Sequence, residues 1–518
     1  MSVTTLFSAL PFGIAAQLIS VEVDISFGVP SFNVVGMAQK SVQESKDRVV
    51  AALHNNGFDS PFKLPRRTVV NLAPADLKKD GSWFDVPLAI GFLIGSEQLA
   101  VSPKDLQKSI FIGELALSGE IRRVSGVLPI ISDLAQAGYT DFFVPRDNES
   151  EALLVPHVRI FALDHLIHLT DHLSEKERIS ASAPRSSPAT DDPSLPEDFT
   201  QIIGQEDAKR ALAIAAAGHH NVLLSGPPGS GKTMLAQALR TILPPLSSAE
   251  LLEVTKIYSA CGLLSAEHPV IRTRPFRAPH HTASPISIVG GGTTPKPGEA
   301  SLAHHGVLFL DEFAEFPAAA LEALREPLQE GAITISRAKQ SVTFPSDFML
   351  VAAMNPCPCG YLYDERKSCT CTLAQIQRYR AKLSGPIMDR VDLFVQVPRQ
   401  PITEKLAPHA DPSLSTATLR ASVQQARNIQ HRRFARSAGA VNSRMSTQHC
   451  KTLAIDDAAL TILRNAADKF YLSLRVYHKL LRVSQTIADM AGSKTITAPQ
   501  VLEALHYRPE TVRTIYPL

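Results

Sequence analysis

The 518-residue chain has almost no net charge, few cysteines and no long apolar run, and each shortage excludes a class of protein. Because the formal net charge is only +2, nucleic acid would have to be bound by local basic patches rather than by a global field. The longest apolar run, Val86–Gly95, has about half the length of a membrane-spanning helix. We therefore predict a protein with no membrane segment.

The cellular setting is predicted from the N-terminus and the cysteines. Met1–Ile19 contains no basic residue, whereas a secretory signal begins with them, and it continues into the strand-like alternation of Val21–Ile25. Four of the six cysteines form a cluster, which suits a metal site in a reducing compartment better than a secreted disulfide framework. We expect a cytoplasmic protein.

Two to four domains are expected, because one hydrophobic core does not extend over 518 residues. The Pro/Ser-rich stretch Ser174–Pro196 lacks apolar periodicity and predicts a flexible linker. Before it, strand-like runs at 110–112 and 142–144 and a helical stretch at 41–54 predict an α+β or α/β domain.

Beyond the linker, strand patterns alternate with helical segments, which predicts a parallel sheet covered on both faces. These strands are Val222–Leu224, Val307–Leu310 and Met349–Ala353. From about Thr403 the pattern becomes helical, and a stripe at helical spacing indicates a packed helix. The members of the stripe are Val476, Leu480, Val483, Ile487 and Met490.

A phosphate-binding loop of the pattern G-x-x-x-x-G-K-[ST] follows the first of these strands. Its members are Gly226, Pro227, Pro228, Gly229, Ser230, Gly231, Lys232 and Thr233. The glycines let backbone N–H groups face the phosphates, and the following helix adds its positive N-terminal end. Lys232 would hold the β- and γ-phosphates, and the Thr233 hydroxyl would bind Mg²⁺. The loop predicts a protein that binds a nucleoside triphosphate.

Two carboxylates end the apolar strand at 307–310. Asp311 would hold Mg²⁺ through its water shell, and Glu312 would orient and polarise the attacking water. Acidic pairs are common at strand ends, but a pair about 80 residues after a phosphate loop indicates ATP hydrolysis.

The chain resembles the AAA+ ATPases and, among them, the magnesium-chelatase-like ComM/YifB family of bacteria. The likeness runs from near residue 1 to residue 518. The segments that carry it are Ile203–Lys209, Arg277–His281, Ala352–Pro356 and Ser384–Asp392. It implies a hexameric ATP-driven helicase that promotes branch migration during homologous recombination in natural transformation.

The resemblance also implies roles for single residues. Asn355 matches the sensor of the γ-phosphate or attacking water, Arg390 the finger that reaches into a neighbouring subunit, and Arg475 the second sensor in the helical lid. The residues implied to lie against adenine are Ile203, Gly204 and Gln205. Arg378 and Arg380 stand close enough in sequence to compete with Arg390 for the finger role.

The cysteine cluster consists of two close pairs separated by nine residues. Its members are Cys357, Cys359, Cys369 and Cys371. Four thiolates can form a closed tetrahedral site for a structural Zn²⁺. Plain reduced thiols and a redox disulfide are the alternatives.

Two basic segments are candidates for DNA contact. Ile333–Phe344 contains two β-rich runs around a basic tip, where related ring helicases carry a pore hairpin, and Arg337 and Lys339 could hold phosphates there without recognising sequence. The second segment is the insertion Arg272–Glu299. Its basic residues include Arg274, Arg277, His280 and His281. The alternatives are solvated hairpin charges for the first segment and subunit packing for the second.

The N-terminal part, around Phe111–Val124, resembles the proteolytic domain of Lon proteases, which use a serine–lysine dyad. Trp83 stands where the serine is required, and Leu128 stands where the lysine is required. The resemblance therefore implies the ribosomal protein S5 domain 2-like fold without peptidase activity.

Together these features predict a multidomain α/β protein. We expect a Lon-protease-like α+β domain at 1–173, a linker at 174–197, an AAA+ parallel-sheet core with the zinc loop at 198–402, and a helical lid at 403–518. The expected cofactors are ATP, Mg²⁺ and structural Zn²⁺, and the expected partners are further copies of the chain and single-stranded or branched DNA. The alternatives are a chelatase-type subunit, against which the N-terminal domain argues, and a chaperone-like remodelling ATPase.

Overall fold

The computed structural model describes residues 3–63, 65–183, 198–292, 295–337, 340–362, 364, 366–383, 385–400, 412–434 and 441–508. Contacts divide the chain into two compact units. The first comprises Met1–Thr190 and Ser247–Arg272, and the second comprises Asp191–Leu246 and Thr273–Leu518. Within the described ranges, no helix combines the length and apolarity needed to cross a bilayer.

The elements are numbered along the chain. The strands are β1 (Thr4–Phe12), β2 (Ala15–Phe27), β3 (Ser31–Val35), β4 (Arg66–Ala73), β5 (Ser109–Phe111), β6 (Glu114–Leu115), β7 (Ile121–Arg122), β8 (Asp141–Pro145), β9 (Arg159–Leu163), β10 (Val222–Ser225), β11 (Phe276–Arg277), β12 (Gly290–Gly291), β13 (Lys296–Pro297), β14 (Val307–Leu310), β15 (Ala332–Arg337), β16 (Gln340–Pro345), β17 (Met349–Met354) and β18 (Leu393–Gln396). The helices are α1 (Lys40–Asn55), α2 (Asp85–Gly95), α3 (Val127–Gln136), α4 (Glu149–Ala152), α5 (Leu166–Leu173), α6 (Glu206–Gly218), α7 (Lys232–Ile242), α8 (Ser248–Ala260), α9 (Pro285–Val289), α10 (Glu299–Leu302), α11 (Ala318–Ala323), α12 (Arg325–Glu330), α13 (Leu373–Ala381), α14 (Gly385–Met388), α15 (Thr416–Arg433), α16 (Thr447–Lys451), α17 (Asp457–Phe470), α18 (Leu474–Met490) and α19 (Ala498–His506). Short 3₁₀ turns are formed by Pro103–Leu106, Arg146–Asn148, Phe199–Gln201, Phe313–Glu315, Pro412–Leu414 and Asn442–Arg444.

The first unit is an α+β structure. One sheet is mixed and has the order β1-β2-β4-β3, with β3 and β4 parallel and the other neighbours antiparallel. The other sheet is parallel throughout and has the order β5-β8-β9. Helix α2 packs against β1, β2 and α1 and is apolar and buried along most of its length. Asp85 at its start is buried, and Arg48 compensates its charge at 2.7 Å.

Segment 247–272, which the sequence argument placed in the ATPase core, packs with the first unit. Helix α8 lies against α3. Lys256 Nζ is 2.7 Å from Asp133 Oδ1, and the Ser259 carbonyl accepts from Gly126 N at 2.9 Å. The Ser259 hydroxyl donates to the buried carboxylate of Glu151. The unit that contains the parallel sheet is therefore not continuous in the sequence, because residues 247–272 belong to the first unit.

The two positions that would carry a protease dyad have structural contacts in the first unit. The Trp83 indole donates to the Ser125 carbonyl at 2.7 Å. Leu128 is fully buried, and its backbone N–H points to Ser259 Oγ at 3.4 Å. Neither side chain has the chemistry of a nucleophile or a base, and the Lon-like identity of this domain stays a prediction.

The second unit contains the predicted parallel sheet, in the order β11-β14-β17-β10-β18. Successive side chains of a strand point to opposite faces. Val222 and Leu224 of β10 accordingly pack into a core that includes α6, α7 and the C-terminal helices, while Leu223 packs into a core on the other face. Coverage of both faces explains why β14 and β17 are apolar at every position and why β10 is apolar up to Ser225.

The helices after β18 confirm the predicted helical C-terminal region. The stripe of α18 is half-buried at Val476 and buried at its other members. The Nζ atom of Lys479, on the same helix, lies 3.0 Å from Oδ1 of Asp392, the residue just before β18. Burial alone would raise the pKa of Asp392, but the charge of Lys479 and the hydrogen bond with His220 outweigh it and lower that pKa. This ion pair attaches the helical lid to the sheet.

Candidate nucleotide-binding site

The phosphate loop connects β10 to α7. Gly229 and Gly231 have left-handed φ angles of 75° and 93°, which glycine adopts at little cost. Lys232 Nζ donates to the carbonyls of Gly226 at 2.8 Å and Pro227 at 3.0 Å. Burial lowers the pKa of Lys232, and the charge of Asp311 opposes that effect. The lysine is thus held within the loop at the carboxyl edge of the sheet.

The predicted magnesium ligands and the predicted sensor meet at this same edge. Thr233 Oγ1 donates to Asp311 Oδ2 at 2.9 Å, and Lys232 Nζ is 3.3 Å from Asn355 Oδ1. The strands that precede these residues are parallel neighbours, so their carboxyl ends converge. Hydroxyl and carboxylate oxygens are ligands that Mg²⁺ prefers. The residues present therefore fit a nucleotide with Mg²⁺.

Glu312 has a contact that the sequence argument missed. Its carboxylate Oε2 lies 2.8 Å from His281 Nδ1, and its backbone has a left-handed φ of 52°. Sequence reasoning named His281 as part of the motif Arg277–His281 and of a basic insertion, but gave it no role at the nucleotide site. The feature that could have revealed this contact is the position of His281 shortly after β11. Strand β11 is the parallel neighbour of β14, so the residues that follow the two strands lie at the same edge of the sheet. The pair connects the insertion to the residue predicted to activate water.

The segment predicted to lie against adenine contacts the phosphate loop. Gln205 Nε2 donates to the carbonyls of Ser230 at 3.3 Å and Pro398 at 2.6 Å. Gly204 has a φ of 64°, and a Cβ there would lie 2.9 Å from the Gln400 side chain. Ile203 is exposed. The structure thus brings this segment to the loop, while its contact with adenine stays a prediction.

Arg390 and Arg475 line one cavity of about 440 Å³ in the second unit. Further cationic residues on its wall are Arg444, Lys479 and Arg482. Arg390 donates to Gln329 at 2.6 Å and to the Pro386 carbonyl at 3.1 Å. Its Nε is buried and has no hydrogen-bond partner among the described residues. Burial first, and then the charges of Arg475 and Arg325, lower the pKa of Arg390.

This cavity lies at the amino edge of the sheet, opposite the phosphate loop. Asn221, Phe348 and Asp392 line it, and they directly precede β10, β17 and β18. A strand as short as β10 spans about 13 Å. The structure therefore groups the two predicted arginines together but does not bring them to the phosphate loop of the same chain.

The two competing arginines occupy another element. Arg378 and Arg380 belong to α13, and the cavity wall described for the second unit includes neither of them. Tyr379, between them, has a hydrogen bond with the backbone of Asn355, the residue after β17. Helix α13 thus contacts the carboxyl edge, and the preference for Arg390 as the finger stays a prediction.

The four clustered cysteines lie together. The Sγ atoms of Cys357 and Cys359 are 3.4 Å apart, and Cys369 Sγ lies 3.7 Å and 3.6 Å from these two. Cys371 Sγ accepts from Cys359 N at 3.4 Å, and all four Sγ atoms lie within 4.8 Å of one another. A tetrahedron with Zn–S bonds of about 2.3 Å has edges of about 3.8 Å. The spacing fits a tetrathiolate metal site.

The two candidate DNA segments differ in what the structure describes. Strands β15 and β16 form an antiparallel hairpin that ends at the pair Arg337 and Gln340. Lys339 lies outside the described residues. In the insertion, Arg277 pairs with Glu299 at 2.6 Å and Arg274 donates to the Pro244 carbonyl at 2.6 Å. These two arginines thus have partners within the chain, and both DNA contact and subunit packing by the insertion stay predictions.

Comparison with known families covers most of the chain. A model described as magnesium chelatase, subunit ChlI, matches residues 198–405, and one described as its C-terminal part matches residues 413–508. A third, described as subunit ChlI of Mg-chelatase, matches residues 21–148. The sequence argument took the N-terminal domain as evidence against a chelatase subunit. That argument was wrong, because a chelatase model matches this domain.

Similarity to full-length proteins decides the family. The chain is 43% identical over 510 residues, 98% of both chains, to "Competence protein ComM" of Haemophilus influenzae. It is 40% identical over 508 residues to the uncharacterized protein YifB of Escherichia coli, which covers 98% of this chain and 97% of YifB. The chain belongs to the ComM/YifB family of magnesium-chelatase-like AAA+ proteins.

The ComM/YifB assignment confirms the predicted resemblance and fixes the general chemistry. An AAA+ family implies ATP hydrolysis with Mg²⁺, and the geometry at the carboxyl edge is consistent with it. The chain is also 30% identical over 183 residues to the magnesium-chelatase 67 kDa subunit of Heliobacterium mobile, but this covers 30% of the chain and 27% of that subunit. The likeness to ComM and YifB is therefore both higher and far longer.

Proposed function

We propose that this ComM/YifB protein is a hexameric ATP-driven DNA helicase that promotes branch migration during recombination in natural transformation. The observation that carries the proposal is the 43% identity, over 98% of both chains, to a competence protein. The convergence of Lys232, Thr233, Asp311 and Asn355 at one sheet edge supports its ATPase part. The expected location is the cytoplasm.

In the proposed hydrolysis, each residue has a defined task. The backbone N–H groups of the phosphate loop and Lys232 bind the β- and γ-phosphates. Thr233 and Asp311 would hold Mg²⁺, which neutralises charge on the phosphates when bound. Glu312 orients the attacking water and accepts its proton, and Asn355 donates to the γ-phosphate or to that water.

The ring is proposed from the position of the arginines. Arg390 and Arg475 lie at the sheet edge opposite the phosphate loop, so they suit a nucleotide held by a second copy of the chain. A head-to-tail interface of this kind generates a closed ring when the rotation closes. In such a ring, each site combines the phosphate loop of one subunit with the arginine cavity of its neighbour.

Zinc is proposed as a structural component. Cys357, Cys359, Cys369 and Cys371 have the donor set and the spacing of a closed tetrathiolate site. Metal analysis of the purified protein should find about one zinc per chain. A protein that binds ATP with far less than one zinc per chain would count against the site.

DNA contact is proposed at the hairpin of β15 and β16. Arg337 ends β15, and Lys339 follows it by two positions in the sequence. Phosphate contacts by such residues would be independent of sequence, as a motor requires. Replacing both by alanine should abolish stimulation by DNA and leave basal ATP hydrolysis unchanged.

The test is steady-state ATP hydrolysis without DNA and with single strands, duplex or a four-way junction, using Glu312→Gln as the blank. We expect stimulation by single strands and junctions, followed by strand displacement in a branch-migration assay. The chelatase matches favour porphyrin-dependent metal insertion as the second candidate, so one arm replaces DNA by a porphyrin and Mg²⁺. Equal rates with all four DNA conditions would reject the DNA motor.

A further inference from the structure

The cysteine loop, here defined as residues 357–371, lies directly on the phosphate loop. Gly360 follows Cys359 and has a left-handed φ of 82°. A Cβ on Gly360 would come within 2.6 Å of Pro228 Cδ and 2.8 Å of Pro228 Cγ. It would also lie 3.7 Å from Asn355 Cγ. Glycine is therefore required at this point of contact.

Further contacts join the cysteine loop to the same site. Asn355 accepts from Lys232 at 3.3 Å, and only Pro356 separates it from Cys357 in the sequence. Arg399 donates to the Pro228 carbonyl at 3.2 Å, and its Nε is 3.9 Å from Asp364 Oδ2. The phosphate loop is thus supported by residues before, within and beyond the cysteine loop.

A shared metal ion would fix the position of this support. Gly360 N donates to the Cys357 carbonyl at 2.9 Å, so a tight turn presents Gly360 to Pro228. Cys357 and Cys359, which belong to this turn, are two of the four cysteines whose Sγ atoms lie within 4.8 Å of one another. A metal bound by all four would hold the turn to Cys369 and Cys371, whereas uncharged thiols have no comparable bond between them.

We propose that metal bound by the four cysteines holds the phosphate loop in its nucleotide-binding shape, with Gly360 as the positioning residue. Loading of the cysteine site then controls the affinity of the protein for ATP, because a preorganised loop binds without the cost of ordering. This inference rests on the proposed zinc site and does not depend on DNA.

The test measures binding of a fluorescent ATP analogue to the full-length protein without DNA, and zinc content is measured in every sample. We expect zinc removal, or the double substitution Cys369→Ser and Cys371→Ser, to weaken binding at least about tenfold. Refilling the stripped wild-type protein with zinc should restore the affinity. A stripped protein that binds the analogue with the wild-type Kd would overturn the proposal.

Gly360→Ala tests the contact while leaving all four thiols in place. We expect this variant to retain about one zinc per chain and to bind the ATP analogue at least about fivefold more weakly. Gly57→Ala is the matched control, because Gly57 has a φ of 79° and a Cβ there meets nothing within 4 Å. Wild-type affinity in both variants would overturn the role of Gly360. If Gly360→Ala binds the ATP analogue more weakly than Gly57→Ala, but DNA does not stimulate ATP hydrolysis by the wild-type protein, only the proposed motor function is rejected.

Discussion

Arg390→Ala should abolish ATP hydrolysis at a neighbouring site while the variant's own ATP binding persists. The Arg390 cavity and the phosphate loop lie at opposite edges of the sheet, separated by about 13 Å along β10. Over that distance a unit charge contributes only about 1 kcal/mol at the effective dielectric constant of about 20 that suits protein sites, so binding by the same chain should weaken at most several-fold. An arginine finger supplied in trans contributes about 10³- to 10⁵-fold to kcat, which corresponds to about 4–7 kcal/mol.

Mixing Arg390→Ala with Lys232→Ala protein measures this separation of roles. Neither variant alone forms a complete site, because one lacks the finger and the other lacks the phosphate-loop lysine. In rings assembled at random from equal amounts, about one quarter of the interfaces combine an intact loop with an intact finger. The mixture should therefore recover about one quarter of the wild-type rate of phosphate release.

The mixing result is interpretable only if the subunits mix. Energy transfer between differently labelled variants verifies that mixed rings form. If such rings hydrolyse ATP no faster than the two variants separately, the arginine acts within its own chain or has no catalytic role. Normal hydrolysis by Arg390→Ala alone would move the finger role to Arg378 or Arg380.

The remaining predictions concern single contacts. Glu312→Gln should bind ATP normally and slow turnover about 10²- to 10⁴-fold in a phosphate-release assay; normal turnover would reject its role. His281→Ala removes the 2.8 Å contact with Glu312 and should raise basal kcat about fivefold at unchanged KM, as for a lost hydrogen bond of about 1 kcal/mol; a lower kcat would show that the contact assists catalysis. Lys479→Ala leaves the half-buried Asp392 carboxylate without its lysine partner and should reduce the free energy of unfolding in urea by about 3 kcal/mol. The exposed lid residue Lys451, changed to alanine, is the control, and equal stability of the two variants would contradict the argument. The pKa of Asp392 is lowered on folding, so its stabilisation is present above the ordinary carboxyl pKa and is lost as the pH falls below it.

The carboxyl edge of the ATPase site could be predicted from the sequence. The phosphate loop is a contiguous pattern, and the apolar strand before Asp311 is recognisable without a partner strand. Parallel strands of one sheet end at a common edge, which is why Thr233 and Asp311 meet at 2.9 Å although 78 positions separate them. For these residues a local pattern and one rule of sheet geometry are sufficient.

The amino edge could not be predicted in the same way. Arg475 shares a cavity with Arg390 because the C-terminal helices fold back onto the starts of β10, β17 and β18. The contact of His281 with Glu312 and that of Gly360 with Pro228 likewise depend on how distant segments pack. No local periodicity encodes such contacts. The family resemblance could therefore assign roles to Arg390 and Arg475, but it could not place them in one cavity at the amino edge of the sheet.

The packing of segment 247–272 limits how this protein can be divided, in the laboratory or in evolution. The segment lies between α7 and β11 of the second unit, yet its Lys256 and Ser259 are bound by Asp133 and Glu151 of the first. A fragment that begins at residue 198 would retain α8 and discard both of its carboxylate partners. No single cut of the chain yields two intact units. Gene fusion or domain exchange near residue 198 would therefore produce an ATPase whose segment 247–272 lacks its partners. We expect the two units to be inherited together.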